Sequence, residues 1–263
     1  MEDKYSYIKE YYSNGAEENR FKQDKAHRVE FITTTRYIDK HLKEGDRILE
    51  VGAGTGAYSL HYAKKGYKVD SLELVQSNID IFKSKITDEL DINVRQGTAL
   101  DLSCYEDNTF DTTLVLGPLY HLYTEEDQNK AIEEALRVTK NDGYIYIAYL
   151  TNDSVILSYC LKKHHLINNE GLYDDNFKLY NKPKEVFSIF YIEEFDNIMK
   201  KYDIEHIANV MTDGLSTILR DCVNDLNEEE FMVWVDYHLS TCERKDLQGY
   251  SSHMLYIGKK KVR

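Results

Sequence analysis

Between a short apolar segment, Arg47–Val51, and a helix-compatible segment beginning at Ala57, the chain carries Gly52-Ala53-Gly54-Thr55-Gly56. Glycines at alternating positions between a strand and a helix let the backbone turn sharply and approach a ligand where a side chain would collide. The helix start that follows offers free N–H donors, which suit an oxygen-rich ligand. A nucleotide-like ligand held at a strand-to-helix turn is therefore the first expectation, and it demands an α/β architecture.

The hundred residues around this loop alternate as that architecture requires. Hydrophobic spacing predicts a strand at Arg47–Val51, a helix at Ala57–Lys65 closed by Gly66, a strand at Tyr67–Leu74 and a helix at Ser77–Leu90. Strands at Ile92–Gln96 and Phe110–Leu116 follow, then a helix at Glu125–Lys140 with acids in its first turn and Arg137 and Lys140 in its last, the polarity the helix dipole favours. Asn141-Asp142-Gly143 reads as a turn into a strand at Tyr144–Leu150. The order predicts a mainly parallel, doubly wound sheet.

Outside this core, residues 1–44 read as a helical cap: Tyr5, Ile8, Tyr11 and Tyr12 recur at helical spacing, Ser13-Asn14-Gly15 interrupts, and Val29, Ile32, Tyr37, Ile38 and Leu42 resume an apolar stripe. Residues 45–150 form the ligand-binding core, and 151–263 complete the sheet through a helix at Ser154–His165, a helix at Ile192–Tyr202 and strands at Glu205–Met211 and Ser252–Ile257. Two stretches read as insertions, the turn-rich Asn168–Lys184 and a helical pair, Leu215–Leu226 and Glu229–Ser240. With the N-terminal helices they are three candidate pieces of a helical lid over the strand C-termini.

The second strand ends in Leu72-Glu73-Leu74, where a carboxylate can accept hydrogen bonds from two ribose hydroxyls. Gly52, Gly54 and Ala57 also satisfy the dinucleotide pattern G-x-G-x-x-G/A, so the loop alone leaves an NAD-dependent oxidoreductase open. Taken with Glu50 before the first glycine, Glu73, and Gly97-Thr98-Ala99-Leu100 after the third strand, the set resembles the class I S-adenosylmethionine-dependent methyltransferases over about Arg47 to Leu150. Gly117-Pro118-Leu119-Tyr120-His121-Leu122 resembles bacterial members of that family with no assigned substrate.

The resemblance implies a Rossmann-like sheet of seven mainly parallel strands with helices on both faces, S-adenosyl-L-methionine as cofactor, and methylation of a small molecule at O, N or S. It implies that Gly52, Ala53, Gly54 and Gly56 wrap the methionine part of the cofactor, with Glu50 near its amino end. Glu73 would hold the ribose, Leu74 would pack on the adenine, and Ala99 and Leu100 would border it. Thr98 stands where many members carry Asp and offers a weaker acceptor to the adenine amino group. Leu116 and Gly117 would lie beneath the reactive methyl. A non-catalytic module binding the same cofactor is the third reading.

Charge and composition narrow the partners. Lys+Arg 33 against Asp+Glu 46 gives a formal net charge of −13, which opposes a nucleic-acid partner because phosphates need a concentrated positive field. Gly117-Pro118-Leu119-Tyr120 also departs from the Asn/Asp-Pro-Pro-Tyr/Phe of nucleic-acid amino-methyltransferases at its first and third positions. Cys104, Cys160, Cys222 and Cys242 are widely scattered, which predicts buried reduced thiols and no metal site. The N-terminus lacks the basic and apolar regions of a signal peptide, and no apolar run approaches ~18–20 residues, so a cytoplasmic protein without a membrane partner is expected. Oligomeric state is not legible.

For chemistry, Tyr120 and His121 follow the fourth strand, where the methyl should emerge. His121 is a candidate base for a hydroxyl, thiol or ammonium nucleophile; the competing role is a loop cap, with Tyr120 packed on the cofactor. Tyr11 and Tyr12, with Tyr5 and Tyr7, either line a substrate mouth or form the inner face of a cap helix. His27 and Arg28 lie just before the second apolar stripe and are candidates for a cofactor or substrate carboxylate, Arg28 first; the competing role, which the position favours, is a solvated helix start.

Overall fold

The computed structural model describes residues 6–12, 18, 20–167, 171–183 and 186–262. Tyr5, the Ser13-Asn14-Gly15 interruption, Asn168, Lys184 and the last residue of the basic tail lie outside the described residues. In chain order the elements are α1 (Ser6–Tyr12), α2 (Arg20–Gln23), α3 (Lys25–Asp39), β1 (Arg47–Val51), α4 (Ala57–Lys64), β2 (Lys68–Glu73), α5 (Gln76–Lys83), β3 (Ile92–Gln96), β4 (Phe110–Val115), α6 (Glu125–Val138) and β5 (Thr139–Thr151). Then come α7 (Asn152–Val155), β6 (Ile189–Phe190), α8 (Ile192–Met199), β7 (Ile204–Met211), α9 (Arg220–Asp225), α10 (Glu228–Thr241) and β8 (His253–Lys260).

The strands form one sheet in the order β3-β2-β1-β4-β5-β8-β7, with β6 paired to β5 off this path. Strands β1 to β5 are parallel, and the nearly unbroken burial of β1, β2 and β4 is what helices on both faces impose, while β3 at the sheet edge is half exposed. β8 runs antiparallel to both β5 and β7. The chain reverses its direction of winding between β1 and β4, and the crevice at such a switch point is where open α/β sheets bind ligands. The main core sits around this sheet, with Tyr62, Tyr146 and Tyr149 among its fully buried side chains, so part of the tyrosine enrichment is ordinary core.

Local chemistry explains the element ends. Thr124 accepts from the Asp127 N–H and starts α6 ahead of three acids; Asn227 and Glu230 form a reciprocal capping box on α10. Three expectations change. The helix after β2 stops at Lys83 rather than Leu90. Asn141-Asp142-Gly143 is a bulge within a continuous β5, with Asp142 at φ 62°, because the strand begins at Thr139 opposite Phe110 before the register shifts. The helix expected at Ser154–His165 is a short α-turn that widens into a π-helix over Ile156–Leu161.

The expected lid is rearranged as well. Val223 of α9 and Phe231 and Val235 of α10 pack on Ala26 and Val29 of α3, forming a satellite core behind that helix. Residues 171–183 instead join a cluster with Cys160, Leu150 and Ile189. Cys160 and Cys242 are buried, whereas Cys104 and Cys222 are exposed, contrary to the expectation of four buried thiols. Among the described residues no helix is long and apolar enough to cross a membrane, and no group of His, Cys, Asp or Glu is arranged to hold a metal ion.

Candidate active site

A cleft enclosing about 1030 Å³ of space, part of it open to solvent, lies at the C-terminal ends of β1, β2 and β4. One end is built by the glycine loop. Gly52, Gly54 and Gly56 all have positive φ, but their empty side-chain positions face different ways. A Cβ on Gly52 would stand 2.6 Å from Pro118, and one on Gly56 would fall onto the Phe82 ring, whereas one on Gly54 would meet nothing within 4 Å among the described residues. Gly52 thus lets the Gly117–Leu122 segment close over the loop, and Gly56 lets α5 pack on α4. Only Gly54 is left open for a ligand. Gly56 accordingly does not line the cavity, while Gly52, Ala53, Gly54 and Thr55 do.

Both expected acids turn inward on this loop. Glu73 accepts from the backbone N–H groups of Gly54 and Val75, each at 2.8 Å, and from the Asn78 side chain at 3.3 Å. Burial pushes its carboxyl above the usual range and these three bonds oppose the shift. A carboxylate has about four lone-pair sites, so acceptor capacity remains for a ligand hydroxyl. Beside it the Asn78 Oδ1, buried in the cavity wall, has no hydrogen-bond partner among the described residues. Glu50 accepts from the N–H and hydroxyl of Ser59, which tethers α4 to β1; burial pushes its carboxyl up to about 8 against those two bonds. Leu74, Thr98, Ala99 and Leu116 line the same end, and the Thr98 hydroxyl accepts from the Leu100 N–H at 3.3 Å. Leu100 itself packs against the main core and is not among the lining residues.

The other end is assembled from distant segments: Ile8 and Tyr12 of α1, Arg20 and Phe21 of α2, Glu30 of α3, Tyr58 of α4, and Tyr120, His121 and Leu122. The Gly-Pro-Leu-Tyr-His-Leu run forms a 3₁₀ turn at Pro118–His121, clamped from beyond by the Ser188 N–H on the Tyr120 carbonyl and the Ser188 hydroxyl on the Leu122 carbonyl. His121 lies 2.9 Å through Nδ1 from the Val186 carbonyl and 2.9 Å through Nε2 from the Tyr12 hydroxyl. The carbonyl can only accept, so Nδ1 carries the proton and Nε2 accepts from Tyr12. Burial holds this imidazole down at about 4, so it is neutral near pH 7 and a weak base. The general-base expectation for His121 is therefore disfavoured by geometry and burial, and a latch between α1 and the loop after β4 takes its place.

Two expected substrate residues lie elsewhere. Arg28 holds Glu228 through two bonds, 3.0 and 3.1 Å, and covers the Phe231 ring; it ties α3 to α10 and does not line the cavity. Tyr11 is 47% exposed and meets Tyr12 and Phe187 edge-on, outside the lining. Tyr12 and Tyr120 stand where expected. Sequence reasoning missed Arg20, Phe21, Glu30, Tyr58 and Asn78. Glu30 carried a signal, an acid beside Val29 in an otherwise apolar helical stripe; Asn78 carried one too, in the first helical turn after Glu73.

Residues 49–147 match the methyltransferase domain family. A demethylmenaquinone methyltransferase of Renibacterium salmoninarum is 34% identical over 104 residues, 40% of this chain and 41% of that protein. A Methanocaldococcus jannaschii protein provisionally named as a ribosomal RNA large subunit methyltransferase is 27% identical over 154 residues, 54% of this chain and 38% of the other. The chain spans about half the length, or less, of the curated relatives it matches. An S-adenosylmethionine-dependent methyltransferase from Thermotoga maritima superposes with a TM-score of 0.60 at 19% identity, covering 98% of this chain and 100% of that one, which establishes the shared fold. The match, the fold and the glycine loop with its two acids agree: residues 49–147 match a methyltransferase domain, on the fold that S-adenosylmethionine-dependent methyltransferases share.

Proposed function

We propose that the protein transfers a methyl group from S-adenosylmethionine to a small-molecule acceptor bound against Tyr12, Phe21, Tyr58 and Tyr120. The observation that carries this reading is the continuity of one cavity between the Glu73 end, with its open Gly54 and its unpartnered Asn78 Oδ1, and the aromatic end. The donor atoms fit a cofactor with a ribose: Glu73 retains acceptor capacity, Asn78 Oδ1 offers another acceptor, and Leu74 and Ala99 supply apolar walls for a base. When bound, the cofactor supplies an activated sulfonium methyl, so the chain's remaining work is to align the nucleophile, exclude water and accept a proton.

The aromatic wall favours a flat or amphipathic acceptor, and the net charge of −13 weighs against a polyanion. Calorimetry with S-adenosylhomocysteine and with NAD, followed by a screen of phenols, amines and thiols for thioether release, tests the reading. Tight binding of the thioether and turnover with a member of the panel are expected. Binding of NAD alone, or turnover only on RNA, would contradict it.

A further inference from the structure

A group of largely buried charges lies against the aromatic end. Glu30 lines the cavity, and its Oε2 accepts from Arg20 Nη2 at 2.7 Å. The same Nη2 is 3.1 Å from Nε2 of His253, whose Nδ1 is 2.9 Å from Asp213 Oδ2 and 3.8 Å from Glu30 Oε2. Asp213, fully buried after β7, also accepts from the Ser251 and Thr217 hydroxyls and the His253 backbone N–H. A guanidinium only donates, so Nε2 accepts from Arg20, Nδ1 donates to Asp213, and the ring is neutral in this arrangement. Among the described residues two carboxylates then face one guanidinium, an excess of negative charge at a largely buried site. Protonation of His253 balances it, once Arg20 swings fully onto the Glu30 oxygen it already holds.

We propose that this cluster, Glu30, Arg20, His253 and Asp213, is the proton sink of methyl transfer, so that the acceptor is a nucleophile with a proton to lose. The inference rests on the methyl-transfer reading of the cavity. In the balanced step the nucleophile's lone pair forms the new bond to carbon as the C–S bond breaks, and that bonding pair stays on sulfur. The nucleophile's X–H pair stays on X, and its proton enters at Glu30 and rests on His253. Before the step the negative cluster faces a sulfonium; after it, a neutral thioether faces a cluster neutralised by the proton. The site's total charge is unchanged.

The charged groups facing His253 are Asp213 from the loop after β7, Arg20 from α2 and Glu30 from α3. Burial disfavours its charged form, but Glu30 and Asp213 outweigh that and Arg20, leaving the imidazole raised. Despite its burial Asp213 is held down at about 2 by bonds led by His253. Tyr120, whose ring lies edge-on to His253 with centroids 6.2 Å apart, also faces it, and Glu50, Glu73, His121, Tyr12 and Tyr58 are the other titratable groups on the cavity wall.

The test needs no acceptor. Calorimetry near neutral pH, in buffers of differing ionisation enthalpy, compares proton uptake on binding S-adenosylmethionine and S-adenosylhomocysteine. Binding of the thioether should take up more, by on the order of half a proton. The excess should vanish in His253→Asn and shrink in Glu30→Gln. In the wild type, imidazole ¹⁵N shifts of His253 should move toward the charged form with the thioether and not with the sulfonium, a readout that does not depend on a variant folding. Equal uptake of the two ligands, an excess that survives His253→Asn, or unmoved His253 shifts would overturn the proposal while leaving the cofactor site intact. Binding of neither ligand would overturn the proposed function, and this inference with it.

Discussion

At its Glu73 end the cavity takes most of its wall from residues 50–99, with Leu116 beside them, and its acids are held by backbone N–H groups of the same stretch, at Gly54, Ser59 and Val75. At its Tyr12–His121 end the wall comes from α1, α2, α3, α4 and the loop after β4, joined by bonds such as Tyr12 to His121 across 109 residues. The first end is therefore set by local conformation: glycines that reach positive φ and acids that satisfy the loop's own N–H groups. The second is set by docking. Substitutions at the first should abolish cofactor binding or folding; substitutions at the second should alter acceptor use and stability while leaving the cofactor bound.

The sharpest contrast lies inside the glycine loop. Gly56→Ala combines a left-handed φ of 84° with a Cβ driven onto Phe82, and should cost about 4 kcal/mol of stability in chemical denaturation. Gly54→Ala, at φ 53° with open space around its Cβ, should cost only about 1–2 kcal/mol and yet lose the cofactor. Equal destabilisation by the two would erase the distinction between a packing glycine and a ligand-facing one.

The docked end is the more sensitive to acid. His121 gains its proton near 6.5 when unfolded and not until about 4 when folded, so the unfolded chain binds more protons in that window. Stability should thus be lost as pH falls from 6.5 toward 4, by roughly 3 kcal/mol for this residue. His27, also held down at about 4, adds loss in the same range. Denaturation at several pH values should give a shallower acid slope for His121→Asn than for the wild type; an unchanged slope would remove His121 as its source.

Glu73→Ala should weaken S-adenosylhomocysteine binding by about 2–3 kcal/mol, on the order of a hundredfold, since it removes charged acceptors from both ligand and loop. Tyr12→Phe removes one latch bond and should cost about 1 kcal/mol of stability with cofactor affinity unchanged by calorimetry. Smallest is Arg28→Ala: its pair with Glu228 is largely exposed, so a loss under about 1 kcal/mol and no change in ligand binding are expected. A marked loss of cofactor affinity in Arg28→Ala would put that residue back in the site.

What could be read in advance follows the same division. The alternation of strands and helices, the glycine loop, Glu73 and the wall residues Leu74, Thr98, Ala99 and Leu116 were legible because each depends on spacing within one supersecondary unit. Arg28 and the lid were misplaced because amphipathic spacing identifies a buried face without its partner: α9 and α10 cover α3 and not the cavity. Glu30, His253 and Asp213 were invisible as a group, since only the antiparallel return of β8 beside β7 brings residues so far apart in sequence to the wall behind α3. The motif Gly117–Leu122 was noticed for its resemblance, and its physical meaning emerges from Pro118 seated against Gly52.

The most direct test is a crystal structure with S-adenosylhomocysteine. Its ribose hydroxyls should bond Glu73, its backbone should run over Gly54, and its sulfur should point toward Tyr120 and the wall formed by Glu30. A thioether bound elsewhere, or a ribose turned away from Glu73, would contradict the assignment of this cavity.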